Sequence, residues 1–135
     1  TWAATVILFV IIAWLSTASS WDGDYDTLES RPLTETEQHF ANAAGFEEVQ
    51  DIVIGRCSMC HAREPVWEGM HWAPKGVHLE TTSDIARAAR EIYIQAAVST
   101  AMPPANITDL SDEDRRTIAR WYRAASGQSV AALSN

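Results

Sequence analysis

The sequence predicts an all-α chain, and three observations carry that prediction. Apolar residues recur at helical spacing in three separate stretches: Phe46, Val49, Ile52 and Val53; Ile85, Ala88, Ala89, Ile92 and Ala96; Ile118, Trp121, Tyr122 and Ala125. Capping-box patterns, Thr34-x-x-Glu37 and Ser111-x-x-Asp114, stand at the front of two of the candidate helices. Ahead of them all, Trp2 to Leu15 is continuously apolar with one threonine and no charge.

Extended through Ser16-Thr17-Ala18, the first stretch reaches the lower limit for spanning a bilayer, about 17 residues. A helix apolar on every side needs apolar surroundings, and the rest of the chain is too small to supply them. Ser16-x-Ala18 resembles a signal-peptide cleavage site, but no basic segment precedes the apolar run. Residues 1–20 are therefore expected to be a single transmembrane helix, meeting the lipid bilayer through residues 2–18, with Trp14 and Trp21 at the interface. The flank Trp21–Asp26 is acidic and has no Lys or Arg before Arg31, which places the downstream domain outside the cytoplasm. The first residue is Thr1 rather than methionine, which suggests the C-terminal piece of a longer chain or a processed form.

Residues 21–36 are polar and broken by Gly23 and Pro32, as a linker is. A helix opening at Thr34 would end at Gly45, and a second from Phe46 would run into Gly55-Arg56. Residues 62–82, with Pro65, Pro74, Gly69 and Gly76, form a long irregular loop, which is uncommon unless it wraps on something. Trp67 and Trp72 within it are expected to pack on whatever the loop wraps or to cover part of the surface. Ser83-Asp84 starts a helix to about Ala97, a Pro-rich loop covers 99–110, and the last helix ends near Ala125. The helical domain is thus residues 37–127, and 128–135 is a small-residue tail.

The formal net charge is −8 and the sequence pI is near 4.8, which argues against a nucleic-acid partner, since phosphate binding needs a basic face. Only two cysteines are present, so no disulfide framework supports a core that is small for its length.

Both cysteines lie in Cys57-Ser58-Met59-Cys60-His61, the attachment pattern of a c-type haem. Residues i and i+3 share a helical face, so both sulfurs reach one porphyrin edge, and His61 stands next in line to ligate the iron. One covalently held haem c would also supply apolar bulk to the core. For the second axial position, Met102 stands out in Ala101-Met102-Pro103-Pro104. The prolines remove backbone donors and stiffen an extended strap, and 41 residues separate it from His61. Met70 and His71 remain alternatives, His78 is expected at the surface or the haem edge, Met59 lies inside the attachment motif on the wrong side, and His39 falls on a polar turn expected at the surface. A thioether ligand raises the potential and a second histidine lowers it. Zinc held by Cys57, Cys60, His71 and His78 is a rival, although the histidines are spaced more widely than in most zinc sites. A thiol–disulfide function would need a βαβ setting that this sequence lacks. Peroxidase-like catalysis needs an open sixth position, against which the Met-Pro-Pro strap argues.

The order helix, CxxCH, loop, helix, MPP, helix resembles the class I cytochrome c family across roughly residues 37–126. Segments 55–65 (GRCSMCHAREP), 73–77 (APKGV), 101–104 (AMPP) and 121–123 (WYR) resemble more narrowly the C-terminal cytochrome domain of the bacterial membrane-bound urate oxidase (urate hydroxylase) family. That resemblance implies haem attachment on the periplasmic side of the bacterial inner membrane. It also implies a preceding membrane domain of the same chain that oxidises urate, and a respiratory acceptor, a cytochrome or terminal oxidase, for the electrons. A cytochrome serving another membrane dehydrogenase or oxidase has the same pattern. In either case this stretch carries electrons and has no catalytic site of its own.

Overall fold

The structure, a computed structural model, describes residues 2–21 and 30–133, and the chain divides into two compact units, Thr1–Arg31 and Pro32–Asn135. All regular structure among the described residues is helical. The acidic flank after Trp21, half of the expected linker (residues 22–29) and the last two residues of the tail lie outside the described residues.

In the first unit, α1 (Trp2–Trp21) is a helix whose residues from Trp2 to Ser16 are all exposed. The single transmembrane helix expected over residues 1–20 is corrected here: among the described residues, no helix is long and apolar enough to cross a membrane. The physical reason is length. The uninterrupted apolar run ends at Leu15; at 1.5 Å per residue it covers about 21 Å, short of the roughly 30 Å hydrocarbon core. Ser16, Thr17, Ser19 and Ser20 make the rest of α1 polar.

The second unit is built on α2 (Glu35–Asn42), α3 (Phe46–Arg56), α4 (Ser58–His61), α5 (Thr82–Arg87), α6 (Ala89–Ile92) and α7 (Asp112–Leu133). Thr34 closes its capping box as expected, with Glu37 N–H donating to Thr34 Oγ1 (3.3 Å) and Thr34 N–H to Glu37 Oε2 (2.8 Å). Gly45 takes the left-handed φ of 85° that lets the chain reverse between α2 and α3 without a Cβ penalty.

The helix expected from Ser83 to Ala97 is three pieces. It is capped slightly earlier than the sequence suggests, by Thr81, whose own box with Asp84 has bonds of 3.0 and 3.1 Å. It breaks at Ala88 (φ −88°, ψ 9°), and Tyr93–Val98 widens into a π-helix closed by Ser99 N–H donating to Ile94 O (2.8 Å). The last helix passes Gly127 and reaches Leu133.

The three apolar stripes meet in one core: Phe46, Val49, Val53, Ile85, Ala89, Ile92, Ala96, Ile118, Trp121 and Ala125 are all buried, joined by Phe40, Leu79 and Leu110. Trp121 ties the chain ends of this unit together. Its ring meets Phe40 edge-on at 5.6 Å and Phe46 at 5.9 Å, and its indole N–H donates to Phe40 O at 3.2 Å. Tyr122 stacks on Phe40 at 5.2 Å and on Tyr93 at 4.3 Å, carrying the contact over to the π segment.

Because Trp121 combines full burial with a buried hydrogen bond, Trp121→Ala is expected to destabilise the domain by about 3–5 kcal/mol in urea unfolding. A loss below about 1 kcal/mol would show that α7 is not held through this ring.

Candidate functional site

The motif Cys57–His61 forms a single turn. Helix α3 hands over to it through Cys57 N–H donating to Val53 O (2.8 Å); Cys60 N–H and His61 N–H then both donate to Cys57 O (3.1 and 3.0 Å). Two thiols and an imidazole therefore leave one compact stretch of backbone. The returning loop clamps this turn: Leu79 N–H donates to His61 O (2.8 Å) and Ser58 Oγ donates to Leu79 O.

Cys57, Cys60, His61 and Met102 all line one cavity of about 240 Å³. Val77 and Leu79 of the loop, Ala88, Ile92 and Ala96 of the broken helix, and Pro103 of the strap complete its apolar walls; Arg56, Lys75, Glu91, Gln95 and Thr108 bring polar groups to it. The break at Ala88 and the π-widening lie in the element that supplies one wall. Met102 is held there by its own N–H, which donates to Gln95 O at 2.9 Å.

The imidazole is oriented by a bond that the sequence does not advertise. His61 Nδ1 lies 2.8 Å from Val77 O. A carbonyl only accepts, so Nδ1 carries the proton and donates, which leaves the lone pair on Nε2. Val77 is put in place by the tight turn before it, where Lys75 (φ 54°) and Gly76 (φ 63°) are both left-handed and Val77 N–H donates to Pro74 O (3.2 Å). A main-chain acceptor has no side-chain code, so only the Pro-Lys-Gly turn residues hinted at it.

The other candidates fall elsewhere. Met70 is half-buried, His71 is exposed and His78 is half-buried, and none of the three borders the cavity. Trp67 is half-buried and Trp72 is exposed, and neither borders the cavity. His39, expected at the surface, is half-buried, with Nε2 shielded and unpaired. Among the described residues, no three His, Cys, Asp or Glu side chains cluster so as to hold a metal ion, so Cys57 and Cys60 have no histidine pair beside them as a zinc site requires.

Both thiols are free, and burial shapes their chemistry. Burial pushes Cys57 up to about 11; the neighbouring Cys60 adds to the rise and Arg115 opposes it. Burial also raises Cys60. A thiol held protonated at neutral pH is a poor exchange nucleophile, which is the opposite of what a disulfide oxidoreductase needs. The cavity thus gathers two thiols, an imidazole and a thioether, residue types that serve in c-type sites as attachment points and iron ligands.

No family model, no curated protein and no solved structure matches the chain.

In protein made without haem attachment, Cys57 should be alkylated by iodoacetamide slowly at pH 8 and ever faster as pH climbs towards about 11, because only the thiolate attacks. A rate that levels off near pH 8.5, about the ordinary cysteine value, would contradict the burial assigned to it.

Proposed function

We propose that residues 32–133 form a haem c electron-transfer domain, with Cys57 and Cys60 as the attachment points and His61 and Met102 as the axial ligands. The observation that carries this reading is the convergence of these four side chains on one apolar cavity, with His61 Nδ1 already committed to Val77 O. When bound, the haem would supply one-electron exchange at its iron.

The chain's residues fit such a group. The walls are apolar, as a porphyrin face requires. Arg56 and Lys75 offer cationic groups to the haem carboxylates. The shielded Thr108 Oγ1 on the same cavity has no hydrogen-bond partner and is free to meet one of them. Protonated, desolvated thiols suit a site that is modified once during maturation and is not meant to cycle. Met102 in place of a histidine favours the ferrous state and a high potential.

The motif resemblance supplies the electron source for this proposal, the oxidation of urate in a companion domain, with a respiratory cytochrome or oxidase as acceptor. A net charge of −8 suits docking onto a basic face of that acceptor.

Visible spectroscopy on protein matured in a host that attaches c-type haem tests the site. Reduction should produce sharp haem c bands. Met102→Ala should keep those bands, lose the sulfur–iron charge-transfer band of the ferric form and lower the potential. Haem bands absent from the native chain, or a sulfur–iron band that survives Met102→Ala, would overturn the assignment.

A further inference from the structure

We propose that Arg115 is the positioning residue of the Met102 strap, a guanidinium clamp that keeps the thioether at the cavity; the inference rests on the haem reading above. Arg115 projects from the first turns of α7 and is half-buried beneath the strap. Its Nη1 donates to Met102 O at 3.0 Å and also to Ala96 O, while Nη2 donates to Asn106 Oδ1 at 3.0 Å. One planar fork thus joins the π segment, the ligand residue's own carbonyl and the far end of the strap. Lysine, with a single point of charge, does not reproduce that geometry.

A second observation indicates that the strap needs an outside hold. Between Thr100 and Asp109 four residues other than glycine have left-handed φ: Thr100 at 54°, Ala105 at 50°, Asn106 at 54° and Asp109 at 56°. Asn and Asp tolerate this region, whereas β-branched Thr100 and Ala105 do not. Backbone of this kind persists where the surroundings over-determine it. Asn106 shows how that is done: its Oδ1 accepts from Arg115 and from Leu110 N–H (3.1 Å), and its Nδ2 donates to Leu110 O (3.2 Å). The clamp and the amide staple together fix the strap at both ends.

Losing a charge-assisted hydrogen bond of this kind is expected to raise the strap's opening equilibrium about 10- to 100-fold. Imidazole enters the ferric site only when Met102 has left, so its apparent affinity should rise by the same factor. The experiment titrates imidazole into the haem-loaded protein carrying Arg115→Ala or Arg115→Lys, with Asn106→Ala as a variant that leaves the arginine in place. Haem content and far-UV circular dichroism are recorded alongside. The account expects tighter imidazole binding in all three, with the sulfur–iron band weakened most in Arg115→Ala. In a Met102→Ala background, the Arg115 substitutions should add nothing, because no thioether remains to be held.

Imidazole affinity within about twofold of the native protein in both Arg115 variants would overturn the clamp while leaving the haem site standing. So would an equal gain with and without Met102, which marks a merely structural role. If the native protein carries no haem, the clamp falls together with the reading on which it rests. If Arg115→Ala does not accumulate, Arg115→Lys and Asn106→Ala decide the matter by the same titration.

Discussion

The hydrogen bond between His61 Nδ1 and Val77 O, 2.8 Å long, is the interaction on which the site depends. It commits Nδ1 to the Val77 carbonyl and so fixes the tautomer of the neutral ring, with the lone pair on Nε2. It also explains the shape of the loop. Residues 62–81 have to travel out and come back so that Val77 O reaches His61 Nδ1, and the left-handed Lys75-Gly76 turn and the Leu79 to His61 backbone bond make that return. The turn that carries the thiols is thereby clamped between α3 on one side and the loop on the other.

The second wall is organised by a different constraint. A regular helix from Thr82 to Val98 would carry one straight apolar stripe, and that stripe would serve either the core or the cavity. The break at Ala88 and the π-widening after Ile92 let one element serve both: Ile85, Ala89, Ile92 and Ala96 are buried in the core, while Ala88, Ile92 and Ala96 border the cavity. Tyr93, at the start of the π segment, stacks on Tyr122 of α7, and Arg115 of the same helix reaches Ala96 O. The long C-terminal helix thus carries the packing that closes the fold and the cation that reaches the Met102 strap.

Much of this was legible in the residues because local chemistry and global placement agree. The three apolar stripes, the Thr34 and Ser111 capping boxes and the Cys57–His61 turn are each specified by nearby sequence, and the structure has them where the spacing puts them. What escaped is what main-chain atoms decide. Val77 contributes a carbonyl, the π-widening has no residue code, and the left-handed Thr100 and Ala105 contradict their own preferences. Arg115 has no signature in the sequence, since its three acceptors come from residues 9 to 19 positions earlier in the chain. The transmembrane expectation failed for a simpler reason. It borrowed Ser16 to Ala18 to reach the minimum length, and the apolar run without them is too short.

Intact-mass measurement with a free-thiol count tests the central claim most directly, because it asks whether the two cysteines have been consumed by one haem. For protein matured where c-type haem is attached, the account predicts the chain mass plus one haem and no free thiol. A chain at its bare mass, with Cys57 and Cys60 both still titrating as thiols, would contradict it.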